Sequence, residues 1–193
     1  MTATTTDRMP PLPPDQLTPA QQDALAQIVA GPRGAAVGPF VVLLRSPELM
    51  NRLQRVGEYL RYDKALEARL FELAVLLVAR HWDQAFEWAH HHPLALAAGL
   101  DPDVVAAVGD GRRPDGMDGP TQAVWELLHQ LHTTGAVDDD AYADAVARLG
   151  EAGVVEVVAA AGYYTTLAML MNVARTPPQD GARLPARTGT EAS

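Results

Sequence analysis

The chain contains no cysteine. That absence removes disulfides, thiolate nucleophiles, iron–sulfur clusters and cysteine-based zinc sites together. It is compatible with a reducing compartment, and the expected location is the cytoplasm. A basic cluster is also missing: 15 Lys and Arg are scattered against 24 Asp and Glu, for a net charge of -9 and a pI near 5.0. Such a chain repels phosphate backbones and anionic lipid, so neither nucleic acid nor a membrane surface is an expected partner. There is no P-loop, no dinucleotide fingerprint, no HExxH and no GxSxG. The opening "MTATTTDRMPPLPPD" has no apolar signal core.

What is present is material for a helical core. Hydrophobic residues make up 48 % of the 193 and charged ones 20 %, which suits one packed domain, or a protomer sharing its core with a partner. The Thr- and Pro-rich residues 1–17 and the tail 177–193 are expected to be extended or disordered, with a single domain over 18–176 between them. Thr18 can N-cap a first helix, with Pro19 in its first turn and Gln21 in the capping-box position. "FVVLLR" fits strand or helix by periodicity, and its helical surroundings favour a short helix. Ser46-Pro47 opens another helix, with Leu49, Leu53, Val56 and Leu60 forming a stripe. The span 66–82 is apolar almost all round, as a central buried helix is. A further helix, about 83–98, ends at Gly99 and contains Pro93, which is expected to kink it. Asp101-Pro102 starts a short helix, Thr121 another, and the "DDD" run suits a helix N-terminus. The last segment, Gly153–Ala174, approaches the length and hydropathy of a membrane span. Glu156, its tyrosines and threonines, and Asn172 favour a buried helix of a core or an interface.

Candidate chemistry lies on two of these helices. Glu72 sits among Phe71, Leu73, Val75 and Leu76. A carboxylate there must be paired, protonated or exposed to a cavity, and desolvation favours the proton-carrying form that suits acid/base work. The plain alternative is a structural ion pair with Arg69 or Arg80. In "FEWAHHHPLA", Glu87 and His91 stand four apart and share a helix face. A carboxylate beside an imidazole orients it and raises its basicity. Successive residues on a helix point about 100° apart, so the three histidines cannot all bind one ion. Glu87, His90 and His91 supply at most part of a metal site, and no metal is expected. His90 is placed at a pocket edge, while His92 is expected to face outward. His81, His129 and His132 read as structural or solvent-facing, and Trp82, Trp88 and Trp125 as core. Arg45, Arg61 and Arg80 each have the geometry to hold a substrate carboxylate bidentately, though each is individually more ordinary as a surface or ion-pair residue.

The order "FELAVLLVARHW" then "FEWAHHHPLALAAGL", with the upstream "GPFVVLLRSPELMNRLQRVGEYLR" and the late "GYY", resembles the carboxymuconolactone decarboxylase family, related to the alkyl hydroperoxidase D-like proteins. The resemblance covers roughly residues 30–176. It implies an all-α, alkyl hydroperoxidase D-like helical bundle. It also implies a homo-oligomer (dimer, trimer or hexamer) with pockets near protomer contacts. In the peroxidase branch a Cys-x-x-Cys pair works with a glutamate and a histidine as proton relay. Here the cysteine positions fall on Gln84 and Glu87, the relay glutamate on Glu72 and the histidine on His91. Without a thiol, peroxidase and disulfide-reductase chemistry is excluded, and the acid/base half of the site remains.

The expected activity is therefore a cofactor-independent acid/base reaction (decarboxylation, isomerisation or dehydration) on a small cyclic or carboxylated molecule. Glu72, Glu87 and His91 are its catalytic candidates, and Phe40, Arg61 and His90 its substrate-binding candidates. The alternatives are a non-catalytic binder or oligomeric accessory protein on the same scaffold, and a metal-dependent enzyme built on Glu87, His90 and His91.

Overall fold

The computed structural model describes residues 6–187, and every regular element among them is helical. The elements are α1 Pro19–Ala30, α2 Pro39–Leu43, α3 Pro47–Glu58, α4 Ala68–His81, α5 Ala85–Ala97, α6 Pro102–Gly109, α7 Gly119–Thr134 and α8 Asp139–Ala174. A π-helical turn, Tyr59–Asp63, follows α3. The chain divides into two compact units. One holds residues up to Lys64 together with Thr166–Pro177, and the other holds Ala65–Thr165 and Pro178 onward.

In the first unit α1 and α2 pack on α3. The capping box at Thr18 forms as the sequence predicts: its side chain accepts from the Gln21 amide, and Gln21 reaches back to the Thr18 amide. Ser46 occupies the N-cap of α3, but its side chain makes no capping bond. The predicted stripe is met in part: Leu60, in the π-turn, is buried and Leu53 half-buried, while Leu49 and Val56 are nearly half exposed. The buried positions of α3 itself are Met50, Gln54 and Gly57, each one residue on from a stripe position and so about 100° around the helix. Ahead of α1, the Arg8 amide and guanidinium donate to the carbonyls of Ala174 and Val173. They thereby satisfy groups that the end of α8 leaves open.

In the second unit α4 is the centre, packed by α5, α6 and α7. Ten of its side chains are buried, from Leu70 through Arg80, which is the all-round apolar pattern realised. Asp101 and Asp118 cap α6 and α7 by accepting from Asp103 and Thr121 amides. Gly150 interrupts α8 with φ 71° and ψ 165°, a left-handed φ that glycine tolerates best. Glu156, on the apolar part of α8, is buried and accepts from the amides of Ala65 and Leu66 at 3.2 and 2.8 Å. Its charge thus meets the donor-rich approach to α4. By length and composition α8 is the one helix among the described residues able to cross a membrane, and 56 % of its most apolar window is buried.

The stretch 178–187 has no regular structure but is anchored. Arg187 pairs with Asp83 and donates to the carbonyls of Arg80 and His81 at the end of α4, while Arg80 donates to the Pro185 carbonyl. The part of the tail seen here is therefore an extended strap fixed to the second unit. The remaining tail, and residues 1–5, lie outside the described residues.

Candidate active site

The two site-bearing helices are consecutive. A short turn through Trp82 and Asp83 sends α5 back along α4, and the buried Gln84 N-caps it by accepting from the Phe86 amide. The fold therefore sets the middle of α4 against the first turns of α5, which carry Glu72 and His91 respectively.

His91 Nδ1 lies 2.7 Å from Glu72 Oε2. On the other side of the ring, His91 Nε2 lies 3.4 Å from Glu87 Oε2. All three residues are buried, His91 to 1 % exposure. The arginines that could have neutralised Glu72 are engaged elsewhere. Arg69 pairs with Glu67 and Asp118, and Arg80 with Asp83 and the carbonyls of Gly109 and Pro185. Of the partners the sequence left open for Glu72, the structure supplies the imidazole.

A neutral ring carries one N–H and can donate to one of its two neighbours, while an imidazolium donates to both. An imidazole in contact with a carboxylate can exchange a proton with it, the arrangement that acid/base chemistry uses.

Aromatic groups wall the cluster. Tyr164 of α8 meets the His91 ring edge-on at 5.0 Å and also meets Phe71 at 5.8 Å. His90 stands edge-on to His91 at 5.0 Å and is half-buried. His92 does not face outward as expected. It is half-buried against Trp88, ring centroids 5.7 Å apart, and burial pushes its pKa down. α5 continues through Pro93 to Ala97, so the three histidines share one helix. Phe40 and Arg61 belong to the first unit. Phe40 is buried beneath the Arg33 guanidinium, and Arg61 lies on the π-turn beside Tyr62. Tyr164 was not singled out from the residues themselves. It stands far downstream, and only the family-like "GYY" drew attention to it. No group of three or more His, Asp or Glu among the described residues has the geometry to hold a metal ion.

The helices that hold this cluster form an alkyl hydroperoxidase D-like helical fold. Among solved structures the chain is similar to a protein of unknown function from Agrobacterium tumefaciens, for which the antioxidant defence protein AhpD has been suggested. The TM-score is 0.63 at 18 % identity, over 71 % of this chain and 94 % of that one. No curated protein matches the sequence. The model of the carboxymuconolactone decarboxylase family matches residues 47–130, which include Glu72, Glu87 and His91. That match spans less than half of the chain, which carries no cysteine.

Proposed function

We propose that this protein is a cofactor-independent acid/base enzyme acting on a small cyclic or carboxylated organic molecule, by decarboxylation, isomerisation, dehydration or a related proton transfer. One observation carries the reading: a single buried imidazole has a carboxylate at each nitrogen, in a chain with no thiol. In this reading His91 gives or takes the proton, and Glu72, at hydrogen-bond distance, is the second proton carrier. Glu87 orients the ring from the next helical turn and stands where redox relatives carry a thiol. In a decarboxylation the bond to the carboxylate breaks, carbon dioxide leaves with the carboxylate carbon, and His91 or Glu72 delivers a proton to the carbanion. In an isomerisation a proton is removed from one carbon and returned at another. The reading extends to a cytoplasmic homo-oligomer. Exposed Val155 and Val158 on α8 support an apolar contact between copies.

The second reading is a non-catalytic small-molecule binder or accessory protein. It is favoured by the burial of His91 and by the occupation of both its nitrogens within the chain.

One experiment separates them. Lactones and cyclic carboxylic acids are incubated with the protein in deuterated water and followed by mass spectrometry. The enzyme reading expects product, or deuterium in recovered substrate, lost in Glu72→Gln and His91→Ala proteins that still show helical circular dichroism. Binding without product or exchange across the series supports the second reading, and full activity in both variants overturns the first.

A further inference from the structure

A second cluster lies apart from the triad in the same unit. A groove of about 710 Å³ opens where the end of α4 faces α7 and the loop after α6, a size that suits a small organic ligand. Its apolar lining is Leu77, Val108 and Trp125. Two stacked pairs of flat groups line it: His81 on His132, centroids 4.3 Å apart, and His129 on Trp125, 4.4 Å apart. Four arginines line it against the carboxylates of Asp110 and Glu126, with Asp83 behind Arg80 and Arg187, in a chain whose net charge is -9. The local sign is thus opposite to that of the whole protein.

The groove's guanidiniums are not committed alike. Arg80 is buried and serves the fold through the Gly109 and Pro185 carbonyls. Arg112 pairs with Asp110 at 3.0 Å and Arg113 with Glu126 at 2.8 Å, both at half-exposed positions. Ion pairs of that kind contribute little and exchange readily. Arg113 also lies over the Trp125 ring at 4.6 Å, which holds its planar fork at the groove wall. A carboxylate entering the groove can replace Glu126 or Asp110 as the partner of a fork already in place.

We propose that this groove is a binding site for a planar organic carboxylate, its ring against the imidazole pairs and its carboxylate on Arg113 and Arg112, with affinity that rises as the pH falls.

The pH dependence follows from what surrounds His132. From α4 it meets His81, with Arg80 beside it; from α7, His129 and Glu126. The loop after α6 brings Asp110, Arg112 and Arg113, and the strap brings Arg187. Burial and the two neighbouring imidazoles push the His132 pKa down to about 4. An anion in the groove offsets that repulsion and favours the protonated ring, so binding takes up a proton and tightens on acidification.

Titration calorimetry of the full chain with 2-naphthoate tests this at about pH 7.5 and about pH 5.5, either side of an ordinary histidine pKa. The neutral 2-naphthamide and inorganic phosphate serve as comparison probes. The expected result is naphthoate binding several-fold tighter at the lower pH, with both comparison probes at least about tenfold weaker, the worth of one charged contact. Arg113→Gln weakens naphthoate about tenfold, His132→Phe keeps binding but flattens its pH dependence, and Glu72→Gln leaves it unchanged. Absence of naphthoate binding overturns the proposal, as does equal binding of the amide or phosphate. Indifference to Arg113→Gln, or loss in Glu72→Gln, places the anion elsewhere and also overturns it. Self-association that Arg113→Gln abolishes, with no naphthoate bound, assigns the groove to contact between copies instead.

Discussion

His91 on α5 places Nδ1 2.7 Å from Oε2 of Glu72 on α4, while its helical neighbour Glu87 stays at 3.4 Å from Nε2. The shorter of the two contacts is the one between helices. The imidazole is therefore held by tertiary packing on one side and by its own helix on the other, and the two carboxylates are not equivalent.

Removing the imidazole strands two buried carboxylates. His91→Ala is expected to destabilise the fold by about 3–5 kcal/mol, the range for breaking a buried charged contact from one side. The double variant His91→Ala/Glu72→Gln is expected to recover part of that loss. Urea unfolding followed by circular dichroism measures both. Equal stability of the single variant and the parent would show that the pair is not coupled.

The inequality of the carboxylates predicts an order of effects on turnover. Under the proposed mechanism Glu72→Gln removes a proton carrier and should slow the reaction by about 10²–10⁴-fold, as loss of a general acid or base does. Glu87→Gln keeps an oxygen toward Nε2 and should cost less. Rates of deuterium incorporation for the two variants decide it, and a larger loss at Glu87 would reverse the assigned roles.

Glu156 makes a separate prediction. Its carboxylate accepts from two backbone amides ahead of α4. Glu156→Ala leaves those donors without it and should destabilise by about 1–3 kcal/mol. Glu156→Gln, which keeps one acceptor, should cost less. Thermal unfolding of the two variants provides the comparison.

Acid should weaken the fold through His132. In the unfolded chain an imidazole takes its proton near pH 6.5. In the folded one burial, then the charges of His81 and His129, delay it to about pH 4. Between those values the unfolded state holds more protons, so this stability is complete above about pH 6.5 and is lost as the pH falls toward 4. His81, whose pKa burial and Arg187 also push down, adds in the same direction. The ring is partly exposed, so solvent screening limits the effect to the order of 1 kcal/mol. Urea midpoints across that window should fall less steeply in His132→Phe than in the parent, and parallel slopes would contradict the assignment.

Much of the helical framework could be read in advance because its signals are local. Thr18 with Gln21, Asp101 before Pro102 and the encircling apolarity of α4 each depend on neighbours within a few residues. The reading faltered where distant packing decides. The buried face of α3 is Met50–Gln54–Gly57, about 100° around from exposed Leu49 and Val56, because packing of α1 and α2 chose that side; Leu60 alone of the stripe is buried. His92 turned inward because Trp88, one helical turn earlier, gave it a surface to lie on.

The same division runs through the candidate site. The sequence by itself determined that sulfur chemistry is absent, that a carboxylate lies within an apolar helix, and that Glu87 and His91 share a face. Those follow from residue identity and the 3.6-residue period. Only the tertiary structure decided which group answers Glu72, that Tyr164 walls the imidazole, and that four arginines and three histidines from separate elements meet in one groove. The distance between groups remote in the chain is fixed by how helices pack, and no local pattern encodes it.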